Sequence, residues 1–282
     1  MKSKAHLKSV AHAGAAPTTK ASAKSAAHLA RAATLFKVLQ TRYPNAHCEL
    51  NWSKPHELLI ATILSAQSTD VGVNKATPAL FAAFTTPLEF ANASPAQIEP
   101  LVKTLNFWRN KAKAVHESMR VVCQNFQGQV PRTMEQLLTL RGVARKTANV
   151  VLGNAFHINH GVVVDTHVGR LARRMGLSKH EDPIDVERDL MGLFPREHWC
   201  VLSHLLISHG RSVCKARGDT CKDDDICRDF CSNFKATRKA KAAPKAAPKS
   251  KAKPKAAPSV TFNSASMRSK SLKPVATKAR RG

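Results

Sequence analysis

The chain has 282 residues, 43% of them hydrophobic and 23% charged, which suits one large domain or two ordinary ones. Its formal net charge of +26 points to an anionic partner, either nucleic acid or an anionic membrane surface. No apolar run approaches the eighteen or so residues that a membrane span requires, and no compact apolar segment follows Met1, so an integral membrane protein and a secreted protein are both disfavoured.

The two ends of the chain carry most of the positive charge. Residues 1–27 contain five lysines and no acidic residue, and residues 235–282 contain fifteen Lys or Arg and no acidic residue. The repeat KAAPKAAPKSKAKPKAAPS (241–259) cannot bury a core, and it resembles the tail of a linker histone. We predict that residues 1–27 and 234–282 are disordered basic tails that bind DNA non-specifically. The alternatives are a solubilising tail at the C-terminus and an organelle transit peptide in the first 33 residues.

Between these tails, apolar residues recur with helical periodicity, as in the stripe Leu29, Ala32, Ala33, Phe36 and Leu39. Strand alternation is almost absent apart from the run 162–164, so we predict an all-α protein with about eight helices or more. The predicted helices, in chain order, are 29–39, 56–66, 94–105 with Ser94 as N-cap, 133–140 with a capping box from Thr133 to Gln136, one starting at Arg145, one starting at Asp165, 185–193 and 199–209.

The segment around Gly142 predicts a helix–hairpin–helix. Residues 133–140 form the first helix, residues 141–144 the turn, and Arg145 begins the second helix. Gly142 can adopt the positive φ of a tight turn, and the turn presents free N–H groups to a phosphate at the start of the second helix. Such a unit holds the DNA backbone without reading its sequence.

Lys146 and Asp165 stand at the starts of two successive predicted helices. The positive helix end disfavours a protonated lysine, and a deprotonated lysine is a nucleophile. A nearby carboxylate can accept protons and stabilise positive charge that develops on a sugar. The ordinary explanations are a solvated lysine and an aspartate that only caps its helix.

Four motifs in order identify a family. SAQSTDVGVNKATPALF (65–81), LRGVARKTANVVL (140–152), VDTHVGRLARRMGL (164–177) and HGRSVCKAR (209–217) resemble the endonuclease III family of DNA repair glycosylases, within the helix–hairpin–helix glycosylase superfamily. The resemblance covers about residues 30–231. It implies a bifunctional DNA glycosylase/AP lyase of base excision repair that removes oxidised pyrimidines and cleaves 3′ to the abasic site by β-elimination.

The resemblance also implies residue roles. Lys146 would attack the anomeric carbon, expel the base and form a Schiff base, and Asp165 would assist. Gln67 would fill the gap left by the flipped nucleotide. The hairpin would contact the phosphates beside the lesion, although the family usually has LPGVGRK where this chain has Arg141 and Ala144 in place of Pro and the second Gly. The predicted hairpin contacts are Arg141, Gly142, Val143, Ala144 and Arg145.

The implied fold has two helical subdomains with a DNA cleft between them. Residues 48–158 would form a six-helix bundle that includes the helix–hairpin–helix. Residues 28–47 plus 159–233, from both chain ends, would form a helical domain with an iron–sulfur loop. We expect a monomer that acts on double-stranded DNA containing a damaged pyrimidine or an abasic site, in the cytoplasm and nucleoid of a bacterial host and without a membrane partner.

Four of the seven cysteines crowd together near the end of this region. The family usually ligates a [4Fe–4S] cluster through C-x6-C-x2-C-x5-C, whereas this chain has Cys214-x6-Cys221-x5-Cys227-x3-Cys231 and places Asp224 where the third ligand is expected. We expect the four thiolates to hold a [4Fe–4S] cluster through a rearranged loop, with zinc or no metal as the alternatives.

Two other functions compete with the lyase. An adenine glycosylase that acts opposite oxidised guanine shares the fold and cluster, but it lacks the lysine and carries a folded C-terminal recognition domain. A DNA-compacting protein without catalytic activity would use the fold and tails only for binding. Lys146 and the Lys/Ala/Pro-rich tail disfavour the first, and borohydride trapping on damaged DNA separates the lyase from the second.

Overall fold

The computed structural model describes residues 20–217, 221, 223–232 and 234, and most of both predicted tails lies outside these residues. The described residues contain no strand, which confirms the all-α prediction. They form α1 (Lys20–Arg42), α2 (Pro55–Leu64), α3 (Asp70–Ala83), α4 (Pro87–Asn92), α5 (Pro95–Val102), α6 (Trp108–Phe126), α7 (Met134–Leu137), α8 (Arg145–Phe156), α9 (Thr166–Arg174), α10 (Pro183–Leu193), a 3₁₀ turn (Arg196–His198), α11 (Trp199–Ser212) and α12 (Asp225–Phe230).

The first apolar core is built around α2. Every residue of this helix from His56 to Leu64 is buried. Pro55 at its first position and the Glu57 carboxylate, which accepts the backbone N–H of Ser53 at 2.7 Å, fix the helix start. Helices α3–α8 pack around α2. The four-residue α7 is a single turn of helix within this bundle.

The second apolar core joins α1 to α9–α12, and it extends to Phe234, the first residue of the predicted C-terminal tail. Segments close to both ends of the described chain therefore pack together, and the chain between them forms the first core. Neither core includes a helix that is long and apolar enough to cross a membrane, among the residues the structure describes. The domain boundaries proposed from the sequence stay a prediction.

Helix α1 differs from its prediction in two ways. It begins at Lys20, inside the segment predicted to be a disordered tail, because the Ala- and Lys-rich sequence KASAKSAA is strongly helix-forming. Its buried stripe is Ala32, Leu35, Phe36 and Leu39, whereas Leu29 is 43% exposed. The predicted stripe included Leu29 and Ala33, which are both exposed, and it omitted Leu35, so the buried face of α1 is rotated from the predicted one.

Candidate active site and cysteine centre

One cavity of about 110 Å³ lies between the two cores and brings the two predicted catalytic residues together. Lys146 reaches it from α8 and Asp165 from the start of α9. The other lining residues are His47, Cys48, Glu49, Leu50, Thr62, Ser65, Asp70, Val150, Val163, Ser203, His204, Ile207 and Arg211. A lysine and a carboxylate that line the same small cavity can act on one sugar.

Lys146 is the second residue of α8 and is exposed. Val150, one helical turn later, lines the same cavity, while Val151 is fully buried in the first core. Ala144, at the N-cap of α8, provides no side-chain hydrogen bond to the first turn. The N-terminus of α8 therefore keeps backbone N–H groups available beside Lys146.

Asp165 caps α9, because its Oδ1 accepts the backbone N–H of Val168 at 2.8 Å. The segment that leads to it is fixed at Val163, whose N–H donates to Ser203 Oγ of α11 at 3.0 Å. The capping interaction and the position in the cavity are compatible, since one carboxylate oxygen is enough for the cap. Asp165 is therefore a helix cap, as the simpler explanation predicted, and this role does not exclude a second role in the cavity.

The hairpin turn has the geometry predicted from Gly142. Gly142 has a φ of +79°, and a Cβ on this residue would come within 3.3 Å of Ala114 Cβ and Ile63 Cγ2. The preceding carbonyl of Arg141 accepts the Ser118 hydroxyl at 2.7 Å. The turn therefore packs closely on α2 and α6, and only glycine satisfies both the backbone conformation and the close contact.

Both arginines of the hairpin form ion pairs within the chain. Arg141 Nη1 lies 2.6 Å from Glu117 Oε2 on α6, in an exposed pair. Arg145 donates Nε and Nη2 to the carboxylate of Glu187 on α10, at 2.7 and 3.0 Å. The sequence predicted these arginines as DNA contacts and did not foresee either partner. Their contact with DNA stays a prediction.

The loop after α2 presents Gln67 to the surface. Gln67 is exposed and has φ +53°, and its carbonyl accepts Asn106 Nδ2 at 2.8 Å. The buried Lys111 donates Nζ to Ser68 Oγ at 2.7 Å and so anchors the next residue. Phe107 follows Asn106, is 60% exposed and has φ +56°. Phe107 was not predicted as a functional residue, because a single aromatic residue in a sequence is most often part of the core.

Other polar and charged side chains line the cavity beside Lys146 and Asp165. Arg211 of α11 pairs with Asp70 Oδ2 at 2.6 Å and with Glu49, which links the second core to the first. His204 donates Nε2–H to Asn154 Oδ1 at 2.9 Å. Burial lowers the pKa of His204 to about 4, so its imidazole is neutral at physiological pH.

The four cysteines predicted as ligands come together in the second core. Cys214, Cys227 and Cys231 are buried and Cys221 is half-buried. The Cys227 thiol is within hydrogen-bonding reach of both Cys214 and Cys221. Cys214 and Cys221 therefore both lie beside Cys227, and Cys231 is buried in the same core.

Helix α12 explains how the altered spacing still brings the cysteines together. Asp224 stands where the family has its third ligand, and its Oδ1 caps α12 by accepting the N–H of Cys227 at 2.8 Å. Its Oδ2 pairs with Arg42 Nη1 at 3.0 Å. Cys227 and Cys231 are four residues apart, one helical turn, so both lie on the buried face.

Positive and neutral donors surround the sulfurs. Arg174 donates Nη1 to Cys214 Sγ at 3.2 Å, and contact with the Cys227 thiol and this guanidinium lowers the pKa of Cys214 to about 6. The buried His209 places Nε2 3.4 Å from Cys227 Sγ. One ligand atom each from His209, Asp224 and Cys227 lies within 4.8 Å of the others, so a zinc site with mixed ligands remains an alternative to a four-cysteine centre.

Comparison with known proteins agrees with this arrangement. Residues 60–196 match the family described as the HhH-GPD superfamily base excision DNA repair protein. The chain is 50% identical to Endonuclease III of Synechocystis sp. over 198 residues, which cover 70% of this chain and 90% of that protein. It is 39% identical to Endonuclease III of Bacillus subtilis over 182 residues, 64% of this chain and 83% of that protein.

A solved structure shares the same fold. The structure described as a trapped Endonuclease III–DNA covalent intermediate, an estranged-adenine complex, matches with a TM-score of 0.70 and 35% sequence identity, over 74% of this chain and 98% of that one. The match covers nearly all of that protein, so the correspondence includes both cores. The chain belongs to the endonuclease III family of base excision repair DNA glycosylase/AP lyases.

Proposed function

We propose that this protein removes oxidised pyrimidines from double-stranded DNA and then cleaves the strand on the 3′ side of the abasic site, with Lys146 as the nucleophile. The single observation that carries the proposal is that Lys146 and Asp165, nineteen residues apart in sequence, line one cavity between the two cores. Membership of the endonuclease III family supports the reaction class.

The proposed chemistry needs both side chains. The uncharged Lys146 amine attacks the anomeric carbon, the bond from that carbon to the base breaks, and the base leaves with the bonding electrons and takes up a proton. Ring opening gives an iminium ion between Lys146 and the sugar. Asp165 stabilises the positive charge on the sugar and accepts protons from the amine. Loss of a proton from C2′ then expels the 3′ phosphate by β-elimination, and water releases the enzyme.

The reacting carbon is unreachable in a stacked duplex, so the damaged nucleotide must leave the helix. We assign the gap it leaves to Gln67, as the sequence predicted, and we add Phe107. Its exposed aromatic ring on a left-handed backbone is typical of a side chain held out for a partner. The hairpin from Arg141 to Arg145 would hold the flanking phosphates through backbone N–H groups.

The cysteine centre fits a [4Fe–4S] cluster. Cys214 and Cys221 lie beside Cys227, Cys231 is buried in the same core, and Arg174 donates an N–H to the Cys214 sulfur, which stabilises a thiolate there. We assign Cys214, Cys221, Cys227 and Cys231 as the ligands. Such a cluster, when bound, supplies structural cross-linking and electron-transfer capacity. The basic tails would add non-specific affinity for DNA in the nucleoid to a monomeric enzyme.

Borohydride trapping tests the function. A duplex with a single thymine glycol or abasic site is incubated with the protein, reduced, and separated under denaturing conditions. We expect a covalent protein–DNA adduct with the wild type and much less with Lys146→Ala, in which only slow trapping through other lysines remains. Lys113→Ala is the matched control, because Lys113 is an exposed helix lysine that does not line the cavity. An adduct that survives Lys146→Ala at the wild-type level would overturn the assignment.

A further inference from the structure

We infer that Glu187 is a positioning residue for the lyase reaction, one that sets the placement of Lys146 relative to Asp165 without touching the DNA. The inference rests on the proposed roles of these two residues. Glu187 lies on α10, and its side chain is 7% exposed. It does not line the active-site cavity.

The first contact of Glu187 is with the helix that carries Lys146. Its carboxylate accepts Arg145 Nε at 2.7 Å and Nη2 at 3.0 Å, a bidentate pair. It also accepts Asn149 Nδ2 at 2.9 Å. Arg145 and Asn149 are one helical turn apart on α8. Glu187 therefore bonds to the start of this helix at two residues, one before and one after Lys146 in sequence. Bidentate charged hydrogen bonds fix orientation as well as distance.

The second contact is with the segment that leads to Asp165. A Cβ on Gly161 would come 1.8 Å from Glu187 Oε1 and 2.9 Å from Asn149 Nδ2. The backbone of Gly161 therefore lies directly against the Glu187 carboxylate, and no other residue fits there without displacement. From Gly161 the chain runs through buried Val162 and Val163 to Asp165 in four residues.

One carboxylate thus bonds to the helix that supplies Lys146 and packs against the segment that leads to Asp165. Glu187 is buried, and a buried carboxylate that loses its hydrogen-bond partners destabilises the fold. The contacts of Glu187 with α8 are therefore expected to stay formed. The hairpin offers a natural comparison, since its other arginine, Arg141, pairs with Glu117 in an exposed and weakly stabilising ion pair. Glu187→Gln and Glu117→Gln each remove the negative charge that pairs with an arginine of the same hairpin, but only Glu187 also accepts Asn149 and lies against Gly161.

The test measures how fast the adduct forms as well as how much forms. Protein is mixed with an excess of a duplex containing one abasic site, and adduct is trapped with borohydride at increasing times. The endpoint reports the fraction of folded protein, and the rate constant reports the geometry in that fraction. Displacements of about 1 Å in an active site cost on the order of 100-fold in rate. We expect Glu187→Gln to lower the rate constant by at least about ten-fold and Glu117→Gln to leave it within about two-fold of the wild type.

Binding is measured separately on a duplex with a non-cleavable abasic analogue. We expect Glu187→Gln to change the Kd by less than about three-fold, since the lost contact is not with DNA. Gly161→Ala is the second variant, because it displaces the carboxylate without altering any charge, and it should slow trapping in the same way. If Glu187→Gln folds too poorly to reach a measurable endpoint, Gly161→Ala decides.

The possible results distinguish failure of the proposed lyase function from failure of the positioning role of Glu187. Absence of any adduct with the wild type would overturn the proposed function and the role of Glu187 with it. Lysine-dependent trapping in the wild type together with an unchanged rate constant in both Glu187→Gln and Gly161→Ala would overturn only the positioning role. A slowed rate that is matched by an equally weakened Kd would also overturn it, since Glu187 would then act on DNA binding.

Discussion

His204 should make the stability of the fold fall in mild acid. Its imidazole lies in the wall of the active-site cavity and contacts Asn154 Oδ1 at 2.9 Å. Burial lowers its pKa from 6.5 to about 4. The unfolded chain therefore binds more protons than the folded chain between these values, and the stability contributed by the neutral imidazole is lost as pH falls from about 6.5 towards 4.

The magnitude follows from the pKa difference. At pH 5 the unfolded imidazole is almost fully protonated and the folded one is almost fully neutral, which costs about 2 kcal/mol of unfolding free energy relative to pH 7. His204→Gln should remove this cost, because the amide can still donate to Asn154 but cannot take up a proton. Other buried histidines, such as His209, also have a lowered pKa and remain in both proteins, so the difference between the variant and the wild type isolates His204.

Urea denaturation followed by circular dichroism at pH 7 and pH 5 measures the effect. The fall in unfolding free energy between these pH values should be smaller in His204→Gln by about 2 kcal/mol. Parallel falls in the two proteins would refute the reasoning and would show that the imidazole is solvated or paired in the folded chain.

Three further outcomes are expected. Gly142→Ala should cost about 1–2 kcal/mol of stability, from φ +79° and two 3.3 Å contacts, and should weaken binding to an abasic duplex; an unchanged melting temperature and Kd would contradict the close packing of the hairpin. Cys227→Ser should lose iron and visible absorbance. Cys123→Ser, in α6 and outside the cysteine centre, should keep both. Equal iron content in the two variants would show that Cys227 is not a ligand. Deleting residues 235–282 should flatten the slope of log Kd against log salt concentration, since fewer cations are then matched to phosphates, and an unchanged slope would assign that tail another partner.

Local signals predicted much of the fold because they act within one or two helical turns. Ser94 and Thr133 precede α5 and α7 as predicted, and the Thr133 hydroxyl accepts the N–H of Gln136 at 3.3 Å. Gly142 adopts the left-handed conformation that its place between two helices predicted. These features depend on residues adjacent in sequence, so composition and spacing are enough to find them.

Contacts between distant segments could not be predicted in this way. Arg145 and Glu187 are 42 residues apart, and nothing in either neighbourhood marks them as a pair. The capping of α12 by Asp224 was also missed, because the departure from the family's cysteine pattern hid the short helix that compensates for it. Phe107 is distinguished only by its exposure, which depends on where the first core ends.

The central claim is that Lys146 is the residue that joins covalently to DNA, and mapping the reduced adduct tests it most directly. The basic tails contain many lysines, and any free amine can form a Schiff base with an abasic site, so trapping alone does not identify the residue. After nuclease and trypsin digestion, modification of Lys146 should block cleavage there and give a peptide running from Lys146 to Arg170 with a sugar remnant on its first residue. We predict that mass spectrometry finds this peptide as the main product. A remnant found mainly on the lysines of residues 235–282, with Lys146 unmodified, would contradict the account.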